Sequence, residues 1–123
     1  MTQDDSQPTV TAFLDAWAAC DAGRVMSLFA DDAVFVASVG SEPGQTHRGR
    51  AEIAPAVEKM LSAAQGTRFH VREVIPFDGG AVVTWAVDGT AGGGQAMNVK
   101  GIDVFRVRDG TVTFKDAYRK AGA

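Results

Sequence analysis

From Thr9 to Asp21 the apolar side chains fall at Val10, Phe13, Leu14 and Trp17. That i, i+3, i+4, i+7 stripe predicts an amphipathic helix, with Ser6 as candidate N-cap and Pro8 in the first turn. Gly23 interrupts the pattern, and Val25, Leu28 and Phe29 then mark a short second helix ending near Asp31 and Asp32. VFVAS predicts a short strand, and SVGSEPGQTHRG, with three glycines and a proline, predicts a loop. Ile53, Val57, Met60 and Leu61 predict a third helix that starts close to Pro55 and stops at Gly66.

Beyond Thr67 the period falls to two, and FDGG, VDGTAGGG and RDGT separate successive strands. Asp78-Gly79 and Asp109-Gly110 are tight hairpin turns, because both residue types tolerate positive φ. AGGGQ lacks a following helix and a Lys-Ser or Lys-Thr pair, so it reads as a hairpin loop and not a phosphate cradle. Helices first and a meander after them give an α+β domain, with the helices packed on one face of a strongly curved, mainly antiparallel sheet.

The 123 residues suffice for one domain with a single core. Fifteen acids against twelve Lys and Arg, spread without a basic block, argue against nucleic acid as a partner. No apolar run approaches membrane-spanning length, and the polar start MTQDDSQPT is unlike a signal peptide, so a soluble, cytoplasmic protein is expected. The single cysteine, Cys20, forbids an internal disulfide and suits a reducing compartment; beside Asp21, with no cationic neighbour, it reads as a small hydrophobe. His47 falls in the long loop, and His70 shares a polar strand face with Arg68 and Arg72. Neither forms a metal-ligand pair or a Ser-His-acid set, so no metal and no cofactor is implied.

One stretch carries candidate chemistry. In KGIDVFRVRDGTVTFKDAY, residues 100–118, strand alternation puts Asp103 on the same face as Phe105 and Val107. With an unbroken two-residue hairpin, Phe105 faces Phe114, Asp103 faces Asp116 and Gly101 faces Tyr118. Two opposed carboxyls would then hold a proton between them, and Asp103, Asp116 and Tyr118 would be the catalytic candidates. A bulge would turn the last strand over, set Asp103 against Lys115 and send Asp116 outward. Both registers stay open at this level.

The order of elements, together with LFADDAVF, HRGRAEI and KGIDVFRVRDGTV followed by Tyr118, resembles the SnoaL-like branch of the nuclear transport factor 2-like superfamily. This branch has ketosteroid isomerases, limonene epoxide hydrolase and polyketide cyclases among its relatives. The resemblance covers nearly the whole chain and implies a cone-shaped α+β barrel, a homodimer formed through the outer sheet face, and an apolar pocket between helices and sheet. Against ketosteroid isomerase, Asp103 falls on the oxyanion-binding acid, but Phe13 replaces the tyrosine and Ala37 the general base. Against limonene epoxide hydrolase, Thr84, Ala86 and Ala117 stand where an arginine and two aspartates belong.

The wall of such a pocket would come from Phe13, Trp17, Phe29, Val57, Met60, Leu61, Trp85, Met97 and Phe105, all of which also read as core. The expected function is binding of a hydrophobic small molecule, with cofactor-free isomerase, cyclase or hydrolase chemistry at the pocket acid. The alternative is a non-catalytic ligand-binding or protein-association module. Ile102 and Val104, apolar on the opposite face, are the expected dimer contact.

Overall fold

In the computed structural model, which describes residues 6–38 and 45–120, three helices and six strands follow in the order α1 (Ser6–Ala18), α2 (Ala22–Leu28), β1 (Phe29–Val36), β2 (Thr46–Arg48), α3 (Arg50–Ala63), β3 (Thr67–Phe77), β4 (Gly80–Thr90), β5 (Ala96–Arg108) and β6 (Thr111–Arg119). The strands form one sheet in the order β2-β1-β6-β5-β4-β3. β1 and β6 run parallel and the other neighbours antiparallel. This is the α+β arrangement expected from the change of period.

The stripe of α1 is buried as predicted at Val10, Phe13 and Leu14, with Trp17 half-buried at its end. Phe13 is the hub: its ring meets Phe29 edge-on at 5.2 Å and Phe105 at 5.3 Å. α1 begins at Ser6, inside the helix and not as its cap. It ends at Ala18 and is closed by Cys20, whose N–H donates to the Trp17 carbonyl while that of Asp21 donates to Ala16, both at 3.0 Å. That is a Schellman closure with Cys20 at φ 55°, where glycine is usual. The break therefore precedes Gly23, which lies inside α2, and Asp21 caps α2 by accepting from the Arg24 N–H at 3.1 Å.

Three further boundaries differ from expectation. Phe29 is extended and opens β1, because the sheet draws it into pairing with Val112 of β6, so the second helix stops before Asp31 and Asp32. Thr46–Arg48, expected within a loop, pairs with β1 as a short edge strand. The rest of that loop, residues 39–44, and the polar start, residues 1–5, lie outside the described residues. α3 starts at Arg50, and Pro55 sits in its second turn. The earlier start is anchored by Arg50, whose guanidinium donates to the Met26 and Phe29 carbonyls at 2.7 and 2.8 Å and ties α3 to the end of α2.

The last hairpin decides which residues enter the core. Asp109 and Gly110 both take positive φ, and Arg108 pairs with Thr111 across the two-residue turn. Val107 still pairs with Val112, but Arg106 pairs with Phe114, so Thr113 is an extra residue in a β-bulge. Its hydroxyl donates to the Arg106 carbonyl at 3.2 Å. Past the bulge Phe105 faces Lys115, Val104 faces Asp116, Asp103 faces Ala117 and Ile102 faces Tyr118. Neither expected partner of Asp103 is found directly across from it: the unbroken register, with Asp116 opposite, is not formed, and in the bulged one the single extra residue brings Ala117 opposite Asp103 and Lys115 opposite Phe105. Among the described residues no helix is long and apolar enough to cross a membrane.

Candidate functional site

A cavity of about 400 Å³ opens between the ends of α1 and α3 and the inner face of β3 to β6. Asp103 and Lys115 lie on its floor, both buried, with Lys115 Nζ 3.5 Å from Asp103 Oδ2. The bulge creates this meeting. It turns Lys115 inward opposite Phe105, two residue pairs along from Asp103 and on the same face. The ammonium sits in an aromatic box, 4.6 Å from the Trp17 ring centroid, 4.7 Å from Phe35 and 5.9 Å from Phe105.

Burial is the main influence on the Asp103 carboxyl and pushes its pKa above the ordinary carboxylate value; the Lys115 charge pulls the other way without cancelling it. Trp85 and the Lys115 hydrogen bond also favour the charged form, and Asp116 contributes the smallest effect. The indole is near enough to be felt electrostatically, yet neither Trp85 Nε1 nor Asp103 Oδ1 makes a well-formed hydrogen bond, although both are buried. A donor and an acceptor thus lack well-formed partners in a cavity whose lining is mainly apolar.

Trp85 reaches this position because its cross-strand neighbour is Gly101. A Cβ there would collide with Trp85 Cζ2 and with the Tyr118 carbonyl oxygen, so the indole lies over bare backbone.

Of the expected site residues, Asp103, Trp17, Met60, Trp85 and Met97 line the cavity. Phe13, Phe29, Val57, Leu61 and Phe105 do not line it; they are buried in the core that α1, α2 and α3 form against the sheet. Asp116 and Tyr118 lie on the outer face, where the tyrosine hydroxyl donates to Asp116 Oδ2 at 2.8 Å, so neither is placed to assist Asp103. Lys115, Phe35 and Phe69 were missed. Phe35 could have been found from VFVAS, where it alternates inward with Ala33 and Ala37. Lys115 was signalled only in the bulged register.

The histidines stand apart from the cavity. His70 Nε2 lies 3.0 Å from Asp88 on the exposed outer face, beside the Arg68–Asp88 pair that lowers the Asp88 pKa. His47 is in β2 with its ring 5.9 Å from Phe35. Among the described residues no group of three or more His, Cys, Asp or Glu side chains is gathered as a metal site would need.

Comparison with known proteins places this geometry. Residues 10–114 match the model of the SnoaL-like domain. No curated protein sequence matches the chain. Among solved structures, a nuclear transport factor 2-like protein of unknown function from Mesorhizobium loti is 24% identical, with a TM-score of 0.78 and 98% of each chain covered. A hypothetical protein with a ketosteroid isomerase-like fold from Catenulispora acidiphila, in complex with trimethylamine, is 19% identical, with a TM-score of 0.77, covering 92% of this chain and 85% of that one. TerC co-crystallized with polyporic acid is 20% identical, with a TM-score of 0.76, covering 93% and 90%. At these identities the solved structures speak for the fold alone, whereas the domain match runs over most of the sequence. The chain belongs to the SnoaL-like domain family.

Proposed function

We propose that this protein binds a hydrophobic small molecule with one polar end, a steroid-like, terpenoid or polyketide-like carbonyl compound, and acts on it by cofactor-free proton transfer with Asp103 as acid. The observation that carries the reading is a buried carboxyl, held above its ordinary pKa, at the floor of a 400 Å³ cavity walled by Trp17, Phe35, Phe69 and Trp85. An apolar body would fill the aromatic part, and a carbonyl oxygen would accept from Trp85 Nε1 or from the protonated Asp103. Two proteins of similar fold hold small molecules, trimethylamine in one and polyporic acid in the other, which supports a ligand-binding use of the scaffold. The lone Cys20 suits work in the cytoplasm.

Ala37 lines the same cavity and offers no base. This favours a pocket acid or a pure binder over a two-carboxylate mechanism. A homodimer through the outer sheet face is part of the proposal, since Ile75, Ile102 and Tyr118 stand exposed there.

Thermal-shift titration tests the reading. Aromatic ketones such as 2-acetonaphthone should raise the melting temperature in a concentration-dependent way, and more than naphthalene does. The Asp103→Leu/Lys115→Met double variant should stay folded, at wild-type stability or up to about 4 kcal/mol above it, because an apolar pair of similar volume replaces a costly buried ion pair. It should lose the preference for the ketone. Stabilisation by phosphorylated compounds alone would contradict the proposal.

A further inference from the structure

Lys115 is the group on the cavity floor that proton transfer by Asp103 leaves unused. Its ammonium is almost wholly removed from water, 3.5 Å from Asp103 and boxed by the faces of Trp17, Phe35 and Phe105. A lysine in apolar surroundings beside a group that can take its proton is an amine nucleophile in waiting. Lys115, Trp85 and Asp103 form one buried group that lines the cavity: the ammonium lies 3.5 Å from Asp103 Oδ2, the indole is near enough to favour the charged form of Asp103, and neither Trp85 Nε1 nor Asp103 Oδ1 makes a well-formed hydrogen bond. A carbonyl group needs those three things to become an imine: a nucleophile for its carbon, a donor for its oxygen, and a carboxyl to move protons between them.

We infer that Lys115 forms an imine with the carbonyl carbon of a hydrophobic aldehyde or ketone bound in this cavity, with Trp85 Nε1 holding the carbonyl oxygen and Asp103 carrying the protons. The inference rests on the ligand class proposed above. Starting from the ionised carboxylate, Asp103 first takes a proton from the ammonium and so becomes the acid. The freed lone pair attacks the carbonyl carbon, a C–N bond forms, and the C=O π pair moves to oxygen, which takes the proton from Asp103. The carboxylate then accepts a second proton from nitrogen and passes it to the hydroxyl. Water leaves with the C–O pair as nitrogen closes the C=N bond. One ammonium and one carbonyl compound give one iminium and one water, with no change of oxidation state. The iminium keeps the positive charge, so the aromatic box and the Asp103 carboxylate hold the product as they hold the free ammonium.

Reductive trapping tests this. Wild-type protein is incubated with 2-naphthaldehyde and cyanoborohydride, which delivers hydride to the iminium carbon, and the labelled lysine is located by peptide mass spectrometry. Lys115 should be labelled at least about tenfold faster than the exposed Lys59, Lys100 and Lys120. Naphthalene, which has no carbonyl, should suppress labelling at Lys115 and leave the other sites unchanged. Lys115→Arg, which keeps the charge, should lose the selective adduct, but the competition on wild type decides the matter even if that variant misfolds. If naphthalene raises the melting temperature while Lys115 is unlabelled, labelled no faster than the exposed lysines, or labelled regardless of naphthalene, the imine is overturned and the pocket stands. If naphthalene and 2-acetonaphthone both fail to stabilise the protein and Lys115 shows no preference, both readings fall.

Discussion

An aspartate and a lysine that meet at 3.5 Å out of reach of water do not by that fact stabilise a fold. The direction of the Asp103 pKa shows which influence wins: desolvation lifts it, and the single counter-charge does not bring it back. The folded chain therefore keeps this proton to higher pH than the unfolded chain does. The group's contribution to stability is complete below the ordinary value, 3.8, and is lost as pH rises through the folded value. Asparagine copies the protonated acid and does not titrate. Urea unfolding should accordingly show Asp103→Asn level with wild type in acid and more stable by on the order of 1 kcal/mol near neutrality. A loss of about 3 kcal/mol at neutral pH would mean that the ion pair outweighs desolvation. The raised pKa was anticipated from repulsion by Asp116, a cause that turns out to be the least of several.

At the scale of elements, alternation alone placed Asp103 beside Phe105 on the inner face, and both are buried there. It could not place β6. The unbroken ladder matched Phe105 with Phe114, which is chemically sensible, and the bulge at Thr113 replaces that match with Lys115. What favours the bulge is distributed: a Thr113 hydroxyl for the Arg106 carbonyl, three ring faces for an ammonium, and the parallel pairing of Phe35 with Lys115 on β1. Only the first of these lies within a window of nine residues; the ring box and the β1 pairing depend on residues farther away in the chain. Gly101 carries a similar long-range meaning, since its missing side chain makes room for Trp85 on the next strand. Gly101→Ala should cost about 1–3 kcal/mol in chemical denaturation, as overpacked cores do. It should also change the Trp85 environment in near-UV circular dichroism. Unchanged stability and spectrum would show that the indole does not depend on that gap.

Over the whole molecule, the change from helical to two-residue periodicity is enough to predict two helices, a short strand, a third helix and then a meander, and the structure has that order with the edge strand β2 added before α3. The wall of the cavity was harder to read. Core and wall have the same composition, so Phe13, Val57 and Leu61 could not be told from Trp17 and Met60 until the packing of α1 and α3 showed where the filled region ends. The outer face carries its own consequence. Ile75, Ile102 and Tyr118 are exposed on it, and burial against a symmetry mate would remove them from water. Sedimentation equilibrium at micromolar concentration should give twice the chain mass, and Ile102→Asp should return it to one. A wild-type monomer would leave that face without the proposed use.

On the proposed function, the ligand meets the protein at the inner end of the cavity and not on the outer sheet face. Carboxyl-detected NMR of the aspartates during titration with 2-acetonaphthone tests it most directly. The Asp103 side-chain signal should move and saturate while that of Asp116, on the opposite face of the sheet, stays in place. Movement of Asp116 with Asp103 unchanged would contradict it.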